Sequence, residues 1–289
     1  MTTSHIPAID VHAHYGTYHR PDSPPLIDGF MSADGATVAA MARRANIQTT
    51  IVSPLLGLMP RGKPDVVSAN DDAARTVITT PGLLQWAIVH PLIPETYTQA
   101  AIMLDSADCV GIKIHPEEHC YQIREHGEAL FEFAARHQTV VLTHSGDPRS
   151  RPQDFVPFAD RYPEVRLILA HLGNGGAAGG NPTLQVRAIQ DARSQNVYVD
   201  TSSARSFMPN LLEWAVGEIG PARILFGTDT PLYCPSMQRI RVDHADLSDA
   251  DKMRILCENA RELFRFNSEA NSGRNDVHKP SVSTDEATS

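Results

Sequence analysis

The chain has 289 residues, 42% of them hydrophobic and 20% charged, a balance that suits a packed globular core and excludes global disorder. The net charge of −9 excludes the basic face that duplex nucleic acid demands. No apolar run reaches the roughly 18 residues of a membrane-spanning helix. The N-terminal MTTSHIPAID lacks the basic start and apolar stretch of a secretory leader, so a cytoplasmic protein without a membrane partner is expected. The 4 cysteines, Cys109, Cys120, Cys234 and Cys257, form no C-x-x-C pair. They read as reduced thiols, not as disulfides or a thiolate zinc site.

In chain order, short β-type runs alternate with helical spacing of apolar residues. Ala8–His12 leads, through a Pro- and Gly-rich stretch from His14 to Met31, to a helix over Thr37–Ala45. Thr49–Ser53 is followed by Val66–Thr79, Leu84–His90 by Thr96–Leu104, and Cys109–His115 by Gly127–Gln138. Thr139–His144 precedes a weaker helix near Phe155–Tyr162, and Arg166–His171 precedes Leu184–Arg193. Val197–Asp200 precedes Leu211–Ile219, and Arg223–Thr228 precedes Asp249–Phe264. Eight strand-then-helix units in about 265 residues predict a single-domain (β/α)₈ TIM barrel over residues 1–266. A doubly wound sheet would place a glycine-rich phosphate loop after the first strand, where HAHYGTYHRPDSPP stands instead. His14–Met31, Leu55–Pro64 and Gly173–Pro182 are the expected rim loops. Residues 267–289 are polar and are expected to form a disordered tail.

The 13 histidines matter through their positions. His12, His14, His90, His115, His144 and His171 fall at or just beyond strand ends, as do Asp200 and Asp229. In a TIM barrel those ends converge on the face that carries catalysis. Asp10, His12 and His14 are spaced by two, so one face of the first strand presents all three. Imidazoles with carboxylate suit zinc, with manganese or iron as alternatives, and one divalent cation, Zn²⁺ first, is expected.

The segments IDVHAH, GIKIHP, VLTHSG, LILAHLGN, ILFGTDTP and ENARELF resemble the amidohydrolase superfamily, in the branch that includes aminocarboxymuconate-semialdehyde decarboxylase. The resemblance spans about Ile6 to Phe264. It implies His12, His14, His144 and Asp229 as metal ligands, with Asp229 also a proton shuttle and His171 a catalytic histidine. Lys113 lies two residues before His115 and faces the same way. It reads either as a carbamate bridge between two metals or as a barrel lysine paired with a carboxylate. The second reading gives one metal. His115, Arg149, Arg205, Asn174 and Lys113 are the expected contacts to a small, anionic substrate, and Glu117, Glu118 and His119 are expected to be solvated. A homo-oligomer is compatible with the sequence. The leading expectation is a hydrolase of an amide, ester or lactone. Its alternatives are a non-oxidative decarboxylase or hydratase of an unsaturated or aromatic acid, and a non-catalytic binding barrel.

Overall fold

The computed structural model describes residues 3–264, so the expected tail lies outside the described residues. The strands are β1 (Ala8–Tyr15), β2 (Ile47–Pro54), β3 (Leu83–Ile88), β4 (Cys109–Ile114), β5 (Val140–Thr143), β6 (Arg166–Leu169), β7 (Val197–Asp200) and β8 (Ile224–Leu225). They are parallel and pair in chain order. The segment after β8 returns to β1: Val11 N–H donates to Phe226 O at 2.9 Å and His14 N–H to Thr230 O at 2.6 Å. These bonds bring the sheet to a nearly closed TIM barrel. Around it run α1 (Pro25–Phe30), α2 (Gly35–Arg44), α3 (Val66–Thr79), α4 (Pro94–Met103), α5 (Ile123–Arg136), α6 (Pro152–Arg161), α7 (Leu184–Asp191), α8 (Leu211–Ile219), α9 (Pro235–Asp243), α10 (Asp249–Met253) and α11 (Asn259–Phe264).

Alternation along the strands builds two cores. Ile112 and Ile114 of β4 face outward onto Leu130 and Phe131 of α5 and Phe155 of α6. Ile9, Val11, Ile51, Trp86, Leu142, Ile168 and Leu225 form another cluster, joined by Cys257, Ala260 and Leu263. Burying each large apolar side chain contributes about 1.5–3 kcal/mol. Trp86 donates from its indole nitrogen to Val11 O at 2.9 Å. A Cβ on Gly111 would sit 2.7 Å from the Trp86 ring and collide with the Val140 carbonyl, so this position requires glycine. The packed interior leaves the C-terminal strand ends as the place for a cavity.

Three local features differ from the periodicity. Helix α9 went unrecognised because much of its inner face is polar: Arg239 is buried, pairs with Asp243 at 2.9 Å and donates to Thr3 O at 2.7 Å. The predicted final helix is divided by a π turn over Arg254–Glu258, between α10 and α11. In β1 the register against β2 shifts between Asp10 and Ala13. The Asp10 carboxylate accordingly turns to the chain after β8 and accepts from Thr228 N–H at 3.0 Å and Thr228 Oγ–H at 2.5 Å. Among the described residues no helix is long and apolar enough to cross a membrane.

Candidate metal centre

His12 and His14 stand at the end of β1, and each ring is held through Nδ1. His12 Nδ1 lies 2.9 Å from Asp200 Oδ2, at the end of β7. Burial alone would raise the Asp200 carboxyl, but His12 and His171 hold it well below the usual carboxylate range. An ionised carboxylate only accepts, so His12 Nδ1 carries the proton. His14 Nδ1 lies 3.0 Å from the Ser53 carbonyl oxygen, which imposes the same tautomer. Both Nε2 lone pairs therefore face Asp229 Oδ1, at 3.7 Å from His12 and 3.1 Å from His14.

Burial would raise the Asp229 carboxyl, but the facing imidazoles of His14, His171 and His12 outweigh it and hold the group at about 2, so Asp229 is anionic. Two imidazole lone pairs and a carboxylate converge in a buried place, a combination that favours a positive charge among them beyond the Lys113 ammonium near His12. The donor set therefore fits a divalent metal. Lys113 is fully buried, with Nζ 2.8 Å from His12 Nε2. Burial brings its ammonium down to about 8, against the pull of Asp200 and Asp229. Among the described residues its close partner is thus a histidine; the carboxylate pairing expected from sequence does not form. It also lies beneath the cavity lining.

The backbone aims the other two site residues. Asp229 has φ 58° and His171 φ 71°, left-handed conformations that cost a non-glycine residue about 1–3 kcal/mol. Asp229 N–H donates to His12 O at 2.7 Å, and His171 N–H donates to Asp200 Oδ1 at 3.0 Å. Ser202, two residues beyond Asp200, joins the network: its Oγ is 2.9 Å from Nδ1 of both His12 and His171 and is bonded to Asp200. The motif VYVDTSS displayed Asp200 and Ser202, but only the fold reveals what they hold.

His144 lies one histidine further out. Its Nδ1 is 3.0 Å from His171 Nε2, and its Nε2 is 2.6 Å from Asp147 Oδ2. Both ring nitrogens are engaged, and His144 is not among the donors gathered around Asp229. Asp147, three residues along the turn SGDP, is the capturing group that sequence reasoning missed. Asn174 donates to Ser145 O at 2.8 Å and faces the cavity. Arg149 instead binds Glu117 at 3.1 Å, away from the lining.

The Glu117–His119 segment corrects the expectation of a solvated cluster, because all three residues are buried. Glu118 binds Arg20 at 2.5 Å and Arg61 at 2.8 Å, joining the loops after β1 and β2 to the loop after β4. His119 stacks on His90 at 4.6 Å, so His90 contributes to packing outside the cavity.

These groups surround a cavity of about 320 Å³. His14, His115, His144, His171 and Asp229 line it. Leu55, Leu58, Met59 and Leu232 form an apolar wall, and Arg20, Arg61 and Arg205 add positive charge. Among the described residues Arg205 makes no ion pair.

Burial, foremost, holds His12 at about 4 and His119 and His171 at about 3. Each is neutral in the fold and protonates near 6.5 when unfolded. Between those limits the unfolded chain binds more protons, so stability is present above pH about 6.5 and is lost as pH falls. Asp10, raised to about 8 by burial, gains stability as pH falls through the same window and offsets part of this loss. Metal-free protein is therefore expected to melt roughly 5 °C lower at pH 5 than at pH 7, measurable by calorimetry; a higher melting temperature at pH 5 would contradict the neutral-histidine assignment.

The fold is a TIM barrel with a candidate metal centre at its C-terminal strand ends. A family model described as amidohydrolase matches residues 9–266, and the chain belongs to that family, in its amidohydrolase 2 branch. Gamma-resorcylate decarboxylase from Polaromonas sp. (strain JS666 / ATCC BAA-500) is 31% identical over 121 residues. That alignment covers 37% of this chain and 36% of the relative, so it spans about a third of each. The structure of 5-carboxyvanillate decarboxylase from Sphingomonas paucimobilis superposes with TM-score 0.70 at 15% identity, covering 91% of this chain and 100% of that one. A dihydroxybenzoic acid decarboxylase from Polaromonas sp. JS666, with bound manganese and 2-nitroresorcinol, gives TM-score 0.68 at 18% identity, covering 89% and 96%. The structural likenesses establish the fold. The relatives overturn the expectation of a hydrolase, because these members of the family are decarboxylases. The donor set fits a divalent metal without selecting zinc; the Polaromonas structure that shares the fold carries manganese.

Proposed function

We propose that this protein is a metal-dependent, non-oxidative decarboxylase of a small hydroxylated aromatic carboxylic acid. The observation that carries the reading is the convergence of two imidazole lone pairs and the Asp229 carboxylate in a cavity with one apolar wall and an arginine-bearing mouth. The decarboxylase relatives support the reaction type.

His12, His14 and Asp229 would hold the cation, manganese being the first choice and zinc or iron the others. When bound it supplies a fixed positive charge for the substrate carboxylate and a neighbouring ring oxygen. Arg205 steers the anionic acid inward, with Arg20 and Arg61 adding to the field. Leu55, Leu58, Met59 and Leu232 hold the ring and exclude water from the reacting carbon.

Asp229 Oδ2 has no hydrogen-bond partner among the described residues and faces the cavity. It takes the proton of the ring hydroxyl and delivers it to the carbon that bears the carboxylate. The bond to the carboxylate then breaks, carbon dioxide leaves, and the electron pair returns through the ring to the phenolate oxygen. Solvent restores the phenol proton. His171, fixed at Nδ1 by Ser202 and contacting His144 through Nε2, positions the wall beside Asp229.

The test is carbon dioxide release from hydroxybenzoates and hydroxyisophthalates by manganese-loaded protein. Release that chelation abolishes is expected. No release from any of these acids by metal-replete protein would overturn the reading.

A further inference from the structure

The N-terminal end of the barrel, opposite the metal centre, holds a second cavity of about 350 Å³, walled by the starts of β6, β7 and β8 and by α11. Strand register places its basic groups. Ile168 of β6 pairs with Tyr198 of β7, and Asp200 of β7 pairs with Leu225 of β8. Ile168 and Leu225 belong to the cluster inside the barrel, and Tyr198 packs against it. Arg166 stands two residues before Ile168, and Arg223 two before Leu225. Both therefore share the inward side of their strands and flank Tyr198. Neighbouring strands lie about 4.8 Å apart, so the two guanidiniums can reach one small ligand beside the Tyr198 ring.

Neither arginine has a carboxylate partner among the described residues. Arg166 makes no side-chain hydrogen bond or ion pair among them. Arg223 donates to the Gln195 backbone oxygen and to Gln195 Oε1 at 3.1 Å, and lies 5.2 Å from the centre of the Tyr198 ring. Glu262, the one acid in the wall, is tied to Arg254 at 3.0 Å. Asn259 adds the opposite polarity. It is 3% exposed, and its Nδ2 donates to Pro221 O at 2.7 Å and Ile224 O at 2.8 Å. Those two carbonyls fix the amide and leave the buried Oδ1 without a hydrogen-bond partner. A buried acceptor with no donor is costly, and the cavity is where a donor can enter.

The geometry points to a second ligand site, for a small phosphorylated molecule that also carries a hydroxyl group. Arg166 and Arg223 bind the dianion, each guanidinium offering a planar fork to its oxygens. The hydroxyl donates to Asn259 Oδ1. Two cations match the double charge of a phosphate better than the single charge of a carboxylate. The occupied site ties together the starts of the three strands that lead to His171, Asp200 and Asp229, and it is independent of the reaction at the other end.

Hydrogen phosphate is the smallest probe that unites both features. Sulfate is its counterpart, a dianion of like shape without a hydroxyl. Full-length, manganese-loaded protein is titrated calorimetrically with each in mildly alkaline buffer, where both are dianions. Phosphate is expected to bind with Kd below about 1 mM, at least about tenfold more tightly than sulfate. Arg166→Gln and Arg223→Gln should each weaken that binding at least about tenfold, whereas phosphate held at the barrel mouth would survive both. The two arginines reach solvent, and each variant is expected to melt within about 3 °C of the parent. No phosphate binding by the parent, equal binding of sulfate, or an affinity unchanged in both variants overturns the proposal. The first two criteria stand even if a variant fails to fold.

Discussion

Asp229→Asn is expected to lower carbon dioxide release by at least about a thousandfold, while the metal-free variant melts within about 3 °C of the parent. The size follows from two losses at one residue. The amide removes the only carboxylate among the described residues that faces Nε2 of both His12 and His14, which is expected to weaken cation binding. It also removes the group that, in the proposed reaction, carries a proton from ring oxygen to ring carbon. Saturating manganese separates the losses: it restores occupancy but not turnover. The measurements are metal content and initial rate; a variant that regains the parental rate at high manganese would leave Asp229 as a ligand only.

Asp200→Asn tests the support beneath that centre. The carboxylate fixes Nδ1–H on His12 at 2.9 Å, accepts from His171 N–H and Ser202 N–H, both at 3.0 Å, and binds Ser202 Oγ. An amide in its place can present N–H to His12 Nδ1, which favours the opposite tautomer and withdraws the Nε2 lone pair from the cation. Metal affinity is expected to fall by about 10–100-fold, as when other groups that orient metal-bound histidines are lost. Turnover at fixed, subsaturating manganese should fall with it. Calorimetric titration with manganese reads the first effect; an unchanged affinity would show that the Ser202 hydroxyl alone suffices to orient His12.

The barrel was legible because its strands are near-continuous runs of Val, Ile and Leu, separated by apolar spacing that only helices satisfy. Helix α9 was not, since Gln238, Arg239 and Asp243 occupy its buried face and leave no apolar stripe to detect. His12, His14 and Asp229 could be found because their strand ends must meet in this fold. Local spacing says nothing about which atom of a side chain is already engaged. The capture of His144 by Asp147 depends on the side-chain geometry of one turn, and the contact of Lys113 with His12 on distances across the barrel. Glu118 misled for a similar reason: a run of charges reads as solvated until Arg20 and Arg61, about 98 and 57 residues earlier, are brought against it. The reaction was least legible of all, because an imidazole and carboxylate centre serves hydrolysis and decarboxylation with the same ligands.

The fate of one deuteron tests metal-dependent decarboxylation most directly. Manganese-loaded protein in D₂O, given 2,6-dihydroxybenzoate and related hydroxylated aromatic acids, should release one carbon dioxide per product from at least one of them. That product should carry deuterium at the vacated ring carbon, and neither should form after chelation. Release that continues unchanged in the chelated protein, or bond cleavage that consumes water and frees no carbon dioxide, would contradict the account.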